Sequence, residues 1–155
     1  MTRTAAREIA ILLGFSAAAS GETAEETLER FFETEHYASM AEENPLFAEL
    51  PDERQMSYIR TLVGLIAERR TELDDYIEKY ARGWKVGRID RTAGAIMRCA
   101  MSEILWMPEI PDAAAINEAV ELSKKYEDAD VVSFINGILG SFMRSEVEKG
   151  ENGES

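Results

Sequence analysis

The chain has 155 residues, with 17 Lys and Arg against 30 Asp and Glu for a net charge of −13, and a hydrophobic content of 45%. That length suits one domain able to bury a real core, and the charge argues against tight, autonomous binding to nucleic acid, because phosphate contacts are made largely by Lys and Arg. No stretch approaches the ~18–20 apolar residues that cross a bilayer, and Cys99, the single cysteine, excludes an internal disulfide, which fits a reducing compartment.

In chain order, the first helix is predicted from Thr4 to Ala19, with Ile9, Leu12 and Leu13 on one face and Ser20-Gly21 as its stop. Its apolar run Ile9 to Phe15 lacks a cleavage site and reads as an amphipathic helix, not a signal peptide, so a cytoplasmic location is expected. Thr23 caps the second helix. Glu26, three residues on, completes a capping box, and Leu28, Phe31 and Phe32 face inward. Asn44-Pro45 and Leu50-Pro51-Asp52 punctuate a loop. From Asp52 to Ala81 two apolar stripes, separated by Glu68-Arg69-Arg70-Thr71, imply two helices or one bent helix.

Gly83-Trp84-Lys85-Val86-Gly87 is a connector. The next helix runs from Arg88 to Trp106 with Ile96, Ala100, Ile104 and Leu105 inward, and Pro111-Asp112 starts another. In the last helix a propensity reading marks Asn136-Gly137 as a turn, but Phe134, Ile135, Ile138, Leu139 and Phe142 follow helical spacing and place the dipeptide inside a helix. A helical Gly costs about 1 kcal/mol relative to Ala, and close approach of a neighbouring helix is the expected compensation. No segment shows strand alternation, so the fold class is all-α. The charged, Gly-containing tail 148–155 is expected to be disordered.

Charge is unevenly placed. Residues 21–55 hold eleven acids against Arg30 and Arg54, a net of −9, whereas Arg82, Lys85, Arg88, Arg91 and Arg98 face only Asp90, a net of +4 over residues 82–98. A basic patch on an acidic protein is implied.

Catalytic signatures are missing. Glu33 and His36 have the Glu-x-x-His spacing of di-iron bundles, but that site needs two such motifs and His36 is the only histidine. Cys99 lies among Ile96 and Ala100 as a small buried hydrophobe rather than a nucleophile. Asp74 and Asp75, adjacent in sequence, diverge by about 100° around a helix and make no convergent acid–base pair. There is no Gly-rich phosphate loop, cysteine pair or serine elbow. The sequence implies no enzyme, cofactor or metal.

The segment Ile116-Asn117-Glu118-Ala119-Val120-Glu121-Leu122-Ser123-Lys124-Lys125-Tyr126, followed by Phe134-Ile135-Asn136-Gly137-Ile138-Leu139-Gly140, resembles the C-terminal signature of the NusB family. Gly83-Trp84-Lys85-Val86 with Arg88-Ile89, Ala95-Ile96-Met97-Arg98, Glu103-Ile104-Leu105, Ile110-Pro111 and the N-terminal Ala6-Arg7-Glu8 extend the resemblance. It implies a helical bundle of about seven helices in one domain, 1–147, with packed subdomains 1–81 and 82–147. It also implies a transcription antitermination factor that pairs with NusE, a small-subunit ribosomal protein, and binds the boxA sequence of leader RNA within the RNA polymerase antitermination complex.

By the same resemblance, Arg3 and Arg7 correspond to the family's RNA-contacting arm. Phe15 and Phe134 are either base-stacking aromatics or core, and Lys124 and Lys125 are either phosphate contacts or a solvated helix face. The chain departs from the family pattern in its thin arginine arm, in Ala93-Gly94 where relatives carry a charged pair, in Ser102 for Tyr and in Ser133 for a basic residue. The alternative reading is a divergent protein–protein scaffold, as a homodimer, with weak or no RNA binding. Some RNA methyltransferases carry a NusB-like domain, but this chain has no residues left for a cofactor-binding sheet.

Overall fold

In the computed structural model, which describes residues 1–148, every regular element is helical. The α-helices are α1 (Arg3–Ser20), α2 (Ala24–Phe31), α3 (Thr34–Met40), α4 (Glu53–Glu68), α5 (Arg70–Tyr80), α6 (Arg91–Trp106), α7 (Asp112–Tyr126) and α8 (Ala129–Phe142). Single 3-10 turns at Pro45–Phe47 and Val86–Arg88 and a π-helical segment Met143–Glu148 complete them. None is long and apolar enough to cross a membrane.

The helices form two units, Met1–Glu68 and a second beginning at Arg69. In the first, α1 lies along α4 and α2 packs on both. Ile9 and Leu13 of α1 and Ile59 and Leu62 of α4 are fully buried in this core. Burying such a side chain contributes about 1.5–3 kcal/mol. Thr23 and Glu26 form the expected capping box, and Gly21 ends α1 at φ 75°, a left-handed conformation that glycine adopts without a Cβ penalty. Phe31, Tyr37 and Phe47 meet edge to face with centroids 5.5–6.0 Å apart. The short α3 was not evident in the sequence. Glu33 is its N-cap and accepts from the Glu35 and His36 amides, so its carboxylate is spent on the backbone instead of sharing a helix face with His36.

In the second unit α6 is surrounded by α5, α7 and α8. Residues 93–103 are therefore all buried, which the small Ala93, Gly94, Ala95, Cys99, Ala100 and Ser102 among them permit. Leu73 and Ile77 of α5, Ile96, Met97 and Met101 of α6, and Ile135, Leu139 and Phe142 of α8 supply the core. α5 belongs here. The expected boundary after Ala81 is corrected to one after Glu68, because the apolar face of α5 is buried against α6 and α8. The chain breaks between α4 and α5 at Arg69, whose φ of −104° and ψ of 19° leave the helix. α6 starts at Arg91 instead of Arg88, since the Asp90 carboxylate accepts from the Ala93 amide and sets the cap there. The π-helical segment is held on α5 by Glu146, which accepts from the Lys79 ammonium at 2.7 Å and from the Tyr80 hydroxyl. Apart from Glu148, the last residue of that segment, the expected disordered tail lies outside the described residues.

α8 runs unbroken through Asn136-Gly137, as the apolar spacing predicted. The expected reason for Gly137 is overturned. A Cβ built there meets nothing within 4 Å and the residue is exposed, so no helix approaches it. Gly137→Ala is therefore expected to stabilise the chain by about 1 kcal/mol through helix propensity alone, read as a rise in the urea midpoint. Gly94 is different. A Cβ there would come within 3.3 Å of the Arg98 guanidinium, which lies across it.

Candidate nucleic-acid interface

In the first unit, the Thr2 hydroxyl caps α1 by accepting from the Ala5 amide, which starts the helix at Arg3. Arg3 donates from Nε to Gln55 Oε1 at 2.7 Å, and its guanidinium carbon stands 4.2 Å from the centroid of the Tyr58 ring. One turn on, the Arg7 guanidinium lies 5.7 Å from the same centroid. The i, i+4 spacing lays both cations over one aromatic face of α4. Arg7, expected to touch RNA, is only 4% exposed, because it is enclosed in the packing of α1 on α4. Arg3 stays half-buried. The amino terminus is pinned as well. Its ammonium donates to Glu49 at 2.7 Å, and that hydrogen bond raises its pKa above the ordinary value.

Phe15 is 39% exposed, which removes the core alternative. It stands about 12 Å beyond Arg7 along α1 and turned about 80° around it, so the first unit does not gather its three expected residues into one stripe. The acidic block of the sequence forms an open groove lined by Glu22, Glu26, Glu29, Arg30, Glu33 and His36.

In the second unit, Lys124 and Lys125 occupy the last turn of α7, where cations suit the helix dipole. Lys124 pairs with exposed Glu121 at 2.8 Å, and the Lys125 ammonium lies 5.6 Å from the Tyr126 ring centroid. Phe134, in the second turn of α8, is half-buried and meets Trp84 edge to face at 6.4 Å and 65°.

Trp84, which the sequence places in a connector and in the family resemblance but in no binding role, is 55% exposed. The connector turns through two consecutive left-handed residues, Arg82 at φ 49° and Gly83 at φ 93°. The Val86 amide then ties it to the Glu78 carboxylate of α5 at 2.9 Å. Of the five cations counted between 82 and 98, Arg98 is lost from the patch. It is 8% exposed and donates to Asp74 at 2.7 Å. Burial pulls its pKa below the ordinary value, opposed by the Asp74 carboxylate. Arg82, Lys85, Arg88 and Arg91 remain exposed. The sequence signal for this loop was an aromatic set among cations at a glycine turn.

Where α6 begins, the Asp90 carboxyl is hydrogen-bonded to that of Glu127, the C-cap of α7. The shared hydrogen bond, followed by burial and the charges of Asp90 and Asp128, pushes the Glu127 pKa up to about 7, while the same bond lowers that of Asp90. A carboxyl raised above its unfolded value contributes stability in its protonated form, and that contribution is lost as pH rises from about 4.5 to about 7. Glu127→Gln keeps a hydrogen-bond donor for Asp90 at every pH. Its melting temperature should match that of the parent at pH 5 and exceed it by about 2–4 °C at pH 8, the shift that 1 kcal/mol produces at this chain length.

Comparison with known proteins settles the family. The NusB family profile matches residues 4–144.

The chain belongs to the NusB family.

It is 35% identical to the transcription antitermination protein NusB of Clostridium perfringens, over 94% of this chain and 98% of that protein. It is 30% identical to the protein of the same name from Clostridium botulinum, over 92% and 100%. Among solved structures, T. maritima NusB superposes with a TM-score of 0.77 at 24% identity, covering 97% of this chain and 98% of that one. The structure of antitermination factors NusB and NusE in complex with dsRNA gives 0.72 at 22%, covering 92% and 96%. Two departures from the usual NusB pattern, Ala93 and Gly94, are buried in α6. A third, Ser102, is fully buried with its hydroxyl unpartnered. Among the described residues no group of three or more His, Cys, Asp or Glu is placed to hold a metal ion.

Proposed function

We propose that this NusB-family chain is a transcription antitermination factor that binds boxA leader RNA together with NusE, as part of the RNA polymerase antitermination complex, and so supports ribosomal RNA transcription in the cytoplasm. It catalyses nothing itself. The observation that carries this reading is the family match across nearly the whole chain, to relatives named for antitermination. A fold neighbour solved with both NusE and RNA supports the same pairing.

The electrostatics suit a reader in two parts. A chain of net charge −13 gains little from phosphates alone. A basic ribosomal protein supplies the missing charge and is attracted by the acidic groove of the first unit. Arg3, Lys124 and Lys125 are assigned phosphates, Phe15 and Phe134 bases, and Arg7 the support of Arg3 over Tyr58. Immobilised NusE should retain the chain without RNA and retain it more strongly with boxA RNA. Failure to retain it under either condition at low salt contradicts the reading.

The second reading, a homodimeric protein scaffold without RNA function, is favoured by the burial of Arg7 and the tether of Arg3 to Gln55. It predicts a dimer in sedimentation and weak or no boxA RNA binding, with any residual binding unchanged by Arg3→Ala.

A further inference from the structure

Within the second unit, Arg69, Arg70, Lys79, Arg98 and Lys124 each pair with a carboxylate. Arg82, Lys85, Arg88 and Arg91 pair with no carboxylate among the described residues, in a chain where carboxylates outnumber cations by 30 to 17. These four fall within ten residues, and Asp90, the only acid among them, is already engaged with the Ala93 amide and Glu127. The Trp84 ring against Phe134 fastens this segment to α8, and Asp90 neighbours Glu127 at the end of α7. Trp84 is thus held in place while more than half of the residue stays open to solvent.

The backbone adds a second sign. Arg82 adopts φ 49°, a left-handed conformation costing an L-residue roughly 1–2 kcal/mol. Such outliers persist where the surrounding structure imposes them and concentrate at binding sites. Here the strained turn presents a cation with no partner among the described residues, two residues from the exposed indole.

We propose that the Arg82–Arg91 segment is a second RNA-contacting element, in which Trp84 takes one unstacked base and Arg82, Lys85 and Arg88 take the adjoining phosphates of a single strand. The inference rests on the RNA-binding reading given above and extends it to residues outside the family's N-terminal arm and C-terminal signature. An exposed aromatic among cations is the combination that single-stranded nucleic acid uses, with the backbone following charge and the bases stacking on rings. An acidic protein partner would need the cations but not the open indole. A duplex would keep its bases stacked and leave Trp84 unused.

The test uses the full chain with NusE and an unstructured RNA of about 16 nucleotides carrying boxA. Trp84→Ala should weaken RNA binding about 10-fold, the loss of one stacked base, and Trp84→Phe should retain most of the affinity. The double variant Arg82→Gln, Lys85→Gln should flatten the log–log salt dependence by about 1.4, roughly 0.7 for each lost phosphate contact. Affinity for NusE without RNA should be unchanged in all three. Undiminished RNA binding in both Trp84→Ala and the double variant overturns this inference and leaves the RNA-binding reading standing. Weakened NusE binding in Trp84→Ala, measured without RNA, overturns it in favour of a protein-docking loop. A parent chain that binds no RNA with NusE present sinks both readings together.

Discussion

Phe142→Ala is expected to lower stability by about 4 kcal/mol. Phe142 has no exposed surface and closes α8 against α5, where the edges of Tyr76 and Tyr80 meet its ring at 5.2 and 6.4 Å. Truncation removes the transfer energy of the ring and both aromatic contacts, and it leaves a cavity that the flanking tyrosines fill only in part. Because α8 also carries Phe134, loosening its end should weaken the support under Trp84. Urea unfolding followed by circular dichroism gives the loss, with the midpoint falling at an unchanged m-value. A loss under ~1 kcal/mol would mean that α8 does not pack on α5 as described.

Asp74→Ala should cost about 3 kcal/mol, because removing the half-buried partner leaves the buried Arg98 charge without compensation. Asp74 accepts from Arg98 at 2.7 Å and from Arg70 at 3.2 Å, but the two arginines are not equivalent. The Arg98 side chain is 10% exposed and that of Arg70 is 41%. Arg70→Ala should therefore cost no more than about 0.5 kcal/mol, as exposed i, i+4 pairs do. Arg98 also has little room to withdraw, since its guanidinium lies across Gly94. The double variant Asp74→Leu, Arg98→Met should regain most of the loss if the penalty arises from the stranded charge. A double variant no better than Asp74→Ala alone would place the penalty in packing.

The helices whose apolar residues recur on one face were legible from sequence. α8 is the clearest case, since Ile135, Ile138, Leu139 and Phe142 are its buried residues despite the Asn-Gly dipeptide. The ends of helices were less so. The sequence spacing puts the start of α6 at Arg88, and only the hydrogen bond from the Ala93 amide to Asp90 moves it to Arg91. α3 escaped notice because seven residues with a single buried side chain, Tyr37, carry no periodicity.

What the sequence does not carry is tertiary. Gly137 and Gly94 look alike as helical glycines, yet one faces open space and the other an arginine. The face of α5 that Leu73 and Ile77 bury could not be assigned to a unit without knowing its neighbours. For the interface, sequence marked the cations but not their availability. Arg7 and Arg98 are buried, whereas Arg82, Lys85, Arg88 and Arg91 remain exposed. Burial of a cation depends on its partner, Tyr58 for one and Asp74 for the other, and neither partner is close in sequence.

The most direct test of the account is the affinity of the chain for fluorescent boxA RNA, measured by anisotropy across a salt series with and without NusE. The account predicts weak binding by the chain alone, at least ~10-fold tighter binding with NusE, and a log–log salt slope that steepens by roughly 0.7 for each phosphate gained. Equal, negligible affinity with and without NusE at low salt would contradict it.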